Sequence, residues 1–146
     1  MGTCDHVPNV LKELDAEVVF HRLPIRPGRP ILAAVSEGGQ PILALPGNPV
    51  SVLVTAHRFG LAVLAKRAGI VKPVRPAPFV RLASGGTQSS DLWCFPLVQL
   101  CKDGVAELIP NRGSADIVAA ARSDGFIEIP PGSTGDGPWP FYSWSN

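Results

Sequence analysis

The 146-residue chain carries 45% hydrophobic and 17% charged residues, which excludes a disordered polymer and suits one sizeable core or two small ones. Its formal charge of +1 gives no basic surface for nucleic acid or a membrane, and no apolar run approaches the roughly 20 residues that span a bilayer. With 15 glycines and 16 prolines the chain is not a helical bundle; it predicts many turns between short elements.

In chain order, Met1 to His6 has no cationic stretch leading into an apolar core, so it does not read as a signal peptide. Asp5 is placed to cap a helix in which Val7, Val10, Leu11 and Leu14 fall at helical spacing, with Pro8 tolerated in the first turn. Ala16 to His21, Ile31 to Val35 and Pro41 to Leu45 then read as three strands, the last two joined by a hairpin turn at Glu37-Gly38-Gly39-Gln40. Between the first two lies Arg26-Pro27-Gly28-Arg29-Pro30, a stiff loop with two guanidinium groups. From Pro49 to about Ala68 the spacing predicts the strongest helix. Its stripe is Val50, Leu53, Val54, His57, Leu61 and Leu64, and much of its other side is apolar as well.

Pro73, Pro76 and Pro78 mark a linker, after which the character of the chain changes. Strand-like runs follow at 79–82, 92–100, 105–109, 126–129 and 139–144, with one short helix from Ser114, read as its cap, to about Arg122. The expected organisation is therefore an α/β domain over residues 1–72 and a small, mostly β, barrel-like domain over 73–146. About 70 residues are too few to cover so apolar a helix. Its cover is expected from a partner chain or, preferably, from the missing part of a longer protein.

Two loops are suited to anions. In Leu45-Pro46-Gly47-Asn48-Pro49-Val50-Ser51, Asn48 reads as the N-cap and Pro49 as the first helical residue, leaving the Val50 and Ser51 amides without intrahelical acceptors. Such helix starts bind phosphate, and the turn follows a strand end, where α/β sheets place ligands. The alternative is a well-capped helix with no ligand. At Arg26 and Arg29 the choice lies between a bidentate oxyanion fork held by prolines and a solvated loop. Asp5 is a plain cap or a metal ligand. Cys4, Cys94 and Cys101 read as reduced thiols of a cytoplasmic protein. His6, His21 and His57 lack ligand-like spacing, and the loop 84–90 reads as a flexible surface hairpin in preference to a phosphate-binding loop.

Asp5-His6-Val7-Pro8, Leu14-Asp15-Ala16-Glu17-Val18, Arg26 to Pro30 and the intact Leu-Pro-Gly-Asn-Pro-Val-Ser run, in this order, resemble the molybdopterin molybdenumtransferases, the MoeA and gephyrin C-terminal family. Arg112-Gly113-Ser114-Ala115-Asp116 and Ser123-Asp124-Gly125-Phe126-Ile127 resemble the same family's small C-terminal β domain. The resemblance implies the C-terminal half of a MoaB/MogA-like three-layer α/β domain followed by that β domain. It also implies insertion of molybdenum from molybdate into adenylylated molybdopterin with Mg2+ and release of AMP, in a cytoplasmic homodimer. By resemblance, Pro46, Gly47, Asn48, Pro49 and Ser51 line the pterin-phosphate or molybdate pocket. Arg26, Pro27, Gly28 and Arg29 contact an oxyanion, with arginine where the family usually has lysine. Asp5 matches a catalytic, metal-associated acidic position, and Ser114 approaches from the C-terminal domain. Of the family's glycine-rich loop before Asp5 only Gly2 and Thr3 are present, with Thr3 where an acidic residue is usual. The other functional expectation is a truncated, inactive pterin-binding or scaffold module of the same family. A nucleotide hydrolase built on the same α/β domain fits less well, because it lacks the β domain.

Overall fold

The computed structural model describes residues 6–71 and 77–145. Asp5 and the expected boundary at 72/73 lie outside the described residues. Helix α1, Val7–Glu13, has His6 at its N-cap position without a side-chain cap, and Pro8 sits in its first turn. Its one buried residue, Leu11, packs with Leu32 and Ala34 against a three-stranded antiparallel sheet. The sheet consists of β1 (Glu17–His21), β3 (Leu32–Val35) and β4 (Pro41–Ala44), with β3 in the middle. The glycine turn closes the β3–β4 hairpin as expected, Gly39 N–H donating to the Ser36 carbonyl at 2.8 Å. The two-residue strand β2, Ile25–Arg26, leaves this sheet and pairs in parallel with β6, Trp93–Cys94.

The predicted helix from Pro49 is one helical run with a break in its winding. It comprises α2 (Pro49–Thr55), a π-turn over Ala56–Gly60 and α3 (Leu61–Arg67). The predicted stripe is only partly the buried face: Val50 and Val54 are buried, while Leu53, Leu61 and Leu64 are exposed. A π-turn shifts the register of everything after it, so a stripe drawn at constant 3.6-residue spacing drifts off the contact face.

The second part is a closed five-stranded barrel in the order β10, β5, β8, β7, β9. The strands are β5 (Phe79–Leu82), β7 (Leu97–Leu100), β8 (Val105–Leu108), β9 (Gly125–Ile127) and β10 (Trp139–Ser143). The expected strand over 92–100 is cut at Pro96 into β6 and β7, because proline has no N–H to give to a ladder. Helix α4, Ile117–Arg122, is capped by Asp116, whose carboxylate accepts the Ala119 N–H. Ser114 is therefore not the cap. It sits in the loop before the helix.

Successive strand residues point to opposite faces. Val98 and Ile127 fill the barrel core with Val80, Leu82, Ala106 and Phe141. Their neighbours Leu97 and Phe126 point outward and pack with Phe95, Ala119 and Ala120 against Ile25, Ile31, Val50 and Val54. The barrel's outer face thus covers the Pro49 helix on that side, and the expected lack of cover is confined to Leu53, Leu61 and Leu64, which stay exposed. Each such buried aliphatic side chain contributes roughly 1.5–3 kcal/mol. This joint core holds the two halves together and positions the cleft between them.

Candidate functional site

A cleft of about 740 Å³ opens where the two halves meet. One wall is the loop after β2: Arg26, Pro27, Gly28, Arg29 and Pro30. A second is the turn at Pro46, Gly47 and Asn48 with Val50 and Ser51, at the end of β4. The barrel side supplies Leu92, Cys94, Phe95, Pro96 and Leu97 from β6–β7, and Asn111, Gly113 and Ser114 from the loop before α4. Of the site residues read from the sequence, Arg26, Pro27, Gly28, Arg29, Pro46, Gly47, Asn48, Ser51 and Ser114 converge here, from positions up to 88 apart in the chain. Pro49 does not line the cleft, and Asp5 lies outside the described residues.

The first loop is held at both ends. Leu23 N–H donates to the Arg29 carbonyl at 3.1 Å, and Phe95 N–H donates to the Arg26 carbonyl at 2.8 Å, tying the loop to the barrel side. The Arg26–Pro27 peptide is cis. Gly28, at φ +109°, rests on Thr55 of α2, and a Cβ there would overlap the Thr55 methyl. Only glycine accepts both the left-handed backbone and that approach. Both guanidinium groups are on exposed residues, and among the described residues no carboxylate lines the cleft wall beside them.

The Pro46–Ser51 turn differs from its sequence reading in two ways. Asn48 is the N-cap residue but makes no side-chain cap; its Nδ2 donates instead to Ser114 Oγ at 2.7 Å. The Val50 N–H, expected to be free for an anion, donates to the Ser114 carbonyl at 3.0 Å. Ser114 therefore bridges the cleft from the barrel side with both its carbonyl and its hydroxyl. The physical reason is proximity: a neighbouring carbonyl satisfies a helix-start donor as well as a capping side chain does.

Asp116 shapes the loop that carries Ser114. Its carboxylate accepts the Arg112 N–H at 3.0 Å and the Ala119 N–H at 3.1 Å. Those two backbone bonds hold its carboxyl below the usual carboxylate range. The Gly113 N–H is bonded to Asn111 Oδ1 at 3.1 Å. Sequence reasoning missed Asn111, Cys94, Phe95 and Leu92 as wall residues. The Asn111-Arg112-Gly113 turn signal was available, but nothing local indicates which cleft it borders. Among the described residues no group of three or more His, Cys, Asp or Glu is arranged to hold a metal. The cleft offers cations, amides, hydroxyls and one thiol, a set matched to an anion of moderate size.

Comparison with known proteins agrees with this geometry. A family model described as probable molybdopterin binding domain matches residues 1–66. The molybdopterin molybdenumtransferase of Synechococcus elongatus is 34% identical over 133 residues, covering 90% of this chain and 32% of the relative. That of Synechocystis sp. is 32% identical over 152 residues, covering 98% of this chain and 36% of its own. A crystal structure of the molybdopterin biosynthesis MoeA protein of Pyrococcus horikoshii superposes with a TM-score of 0.76 at 26% identity. The match covers 97% of this chain and 35% of that one. The fold is thus an α/β unit joined to a small β-barrel, and the chain belongs to the molybdopterin molybdenumtransferase (MoeA) family. It spans about a third of the length of the curated relatives it matches.

Proposed function

We propose that the cleft binds an anionic pterin substrate and that the chain serves molybdenum cofactor biosynthesis. The reaction is insertion of molybdenum from molybdate into adenylylated molybdopterin, with release of AMP. The observation that carries this reading is the convergence of Arg26, Arg29, Asn48 and Ser114 on one cleft that no carboxylate lines among the described residues. Molybdate is a dianion, and molybdopterin brings a dithiolate and phosphate, so the reactants repel one another. Two guanidinium groups on one wall offset that repulsion, and each makes charge-assisted, potentially bidentate hydrogen bonds. Asn48 and Ser114, hydrogen-bonded to each other across the cleft, fix one end of it and leave the second amide hydrogen of Asn48 to meet the substrate from that side.

On this reading residues 1–72 belong to a three-layer pterin-binding α/β domain and 73–146 to the β domain, and the protein works in the cytoplasm as a homodimer. Support for the three-layer part is that Leu11 of α1 packs on Leu32 and Ala34 of the sheet, while Phe20 and Leu43 of the sheet pack against the cluster that holds Val50 and Val54 of the Pro49 helix. Mg2+, implied by the resemblance, would supply further charge neutralisation. The described cleft residues do not fit it, since hard divalent cations require carboxylate or clustered oxygen donors. No step is therefore derived through that ion. A second reading, a pterin-binding or scaffold module that turns nothing over, is favoured by the Val50 amide and the Asn48 side chain both being taken up by Ser114 rather than left open to a reactant.

Arg26→Ala combined with Arg29→Ala tests the proposal by calorimetric titration with adenylylated molybdopterin and with molybdate. Loss of two charged hydrogen-bond donors, each worth roughly 1.5–3 kcal/mol, is expected to weaken binding at least tenfold. Unchanged affinity would remove the loop from the site. Molybdenum incorporated per pterin by the unsubstituted protein separates the two readings: binding without incorporation selects the scaffold.

A further inference from the structure

Six residues after the cleft, the same helix meets the barrel at a second, chemically unusual place. Within the π-turn two consecutive residues, His57 and Arg58, both engage the barrel. Arg58 Nε donates to Glu128 Oε2 at 2.6 Å, and its guanidinium lies 5.2 Å from the Tyr142 ring centre. The His57 ring sits edge-on among Phe126, Tyr142 and Trp144, at centroid distances of 5.7, 6.4 and 5.7 Å. Both its ring nitrogens are buried with no hydrogen-bond partner.

An imidazole in this setting accepts a proton at a cost. Among the described residues, the charged and titratable groups on the elements packed here are Arg58 from the helix, Glu128 following β9 and Tyr142 from β10. Asp124, before β9, is turned away to the Leu100 amide, and Arg122 is exposed on α4. Glu128 is already committed to Arg58, so a second cation beside it finds no free carboxylate. Burial pushes the His57 imidazole below its ordinary value. The Ser143 backbone lies close enough to oppose part of that shift, though outside hydrogen-bond geometry.

We propose that the His57–Arg58 turn is a proton-sensitive joint between the Pro49 helix and the barrel, whose protonation loosens the barrel and widens the cleft. The two contacts are coupled because helix and barrel form both the joint and the cleft walls. A proton on His57 places an unsolvated cation among three aromatic rings and next to Arg58, and separating the barrel from the helix hydrates it. The sign follows from linkage. The closed state binds the proton less well than the open one, so closure is strongest above the ordinary histidine value of 6.5. It weakens as pH falls through 6.5 toward the lower closed-state value.

The Val50 amide reports closure, since its bond to the Ser114 carbonyl crosses the cleft. Hydrogen exchange of that amide, corrected for the intrinsic pH dependence of exchange, is measured in the wild-type chain and in His57→Leu. Protection is expected to fall several-fold between about pH 7.5 and pH 5.5 in the wild type and to stay level in His57→Leu. The same fall in both proteins would overturn the joint. Should His57→Leu fail to fold, the His57 resonance followed by NMR in the wild type decides. Titration below 6.5 in step with loss of Val50 protection supports the joint, and titration at 6.5 or above, or protection that holds throughout, overturns it.

Discussion

Gly28 shows how a single residue without a side chain can shape a cleft through its backbone. Its φ of +109° and its contact with Thr55 let the arginine loop lie flat on the helix beneath it. Thr55 cannot yield, because it is fully buried and its hydroxyl donates to the Ser51 carbonyl at 2.7 Å. Gly28→Ala is expected to destabilise the chain by about 2–4 kcal/mol, combining backbone strain with overpacking. Urea unfolding measures it. A loss below about 0.5 kcal/mol would mean that the loop does not rest on the helix as described. The glycine stood out in the sequence only as a turn residue between prolines; Thr55, 27 positions later, is what makes it indispensable.

Among the elements, α4 and the loop before it depend on one cap. Asp116 accepts the Arg112 and Ala119 amides and so fixes the loop that brings Ser114 to Asn48 and Val50. Its carboxyl is held below its ordinary value of 3.8 by those amides, so the ionised side chain stabilises the folded state above that pH. The contribution is lost as pH falls through 3.8 toward the lower folded-state value. Thermal unfolding of Asp116→Ala is expected to show a lowered Tm near neutral pH and a gap to wild type that narrows below pH 3.8. A gap independent of pH would assign the stabilisation to something other than the ionised carboxylate. The helix at Pro49 teaches the converse lesson: its apolar character was visible in sequence, but the π-turn was not, since no single residue type encodes it.

Taken whole, the molecule covers one side of the Pro49 helix and leaves apolar side chains open on several elements. Val7, Val10 and Leu14 of α1 and the segment after it, Val18 and Val19 of β1, and Leu61 and Leu64 of α3 are all exposed. Seven exposed aliphatic side chains beside an unpaired edge strand exceed what an isolated soluble domain usually presents. The chain alone is expected to self-associate. Light scattering after size exclusion should give a mass above 15.4 kDa that rises with concentration, and a concentration-independent monomer would contradict it. Among the described residues no helix is long and apolar enough to cross a membrane.

Much of this protein was written in local sequence. Alternating apolar runs marked most of the strands, proline and glycine marked the turns, and the order of a few motifs, above all Leu45 to Ser51, identified the family. These are short-range properties, decided by backbone preference and by which face of an element is apolar. Residues 45–51 and the arginine loop, each suited to anions by its sequence, come together only where the barrel side closes a cleft with them. Tertiary structure alone decided that Ser114 takes the Val50 amide, that Asn48 reaches across the cleft rather than capping its own helix, and that the barrel's outward-facing Leu97 and Phe126 cover that helix. The reason is that a donor or an apolar face is indifferent to which partner satisfies it, and the partner here comes from dozens of residues away.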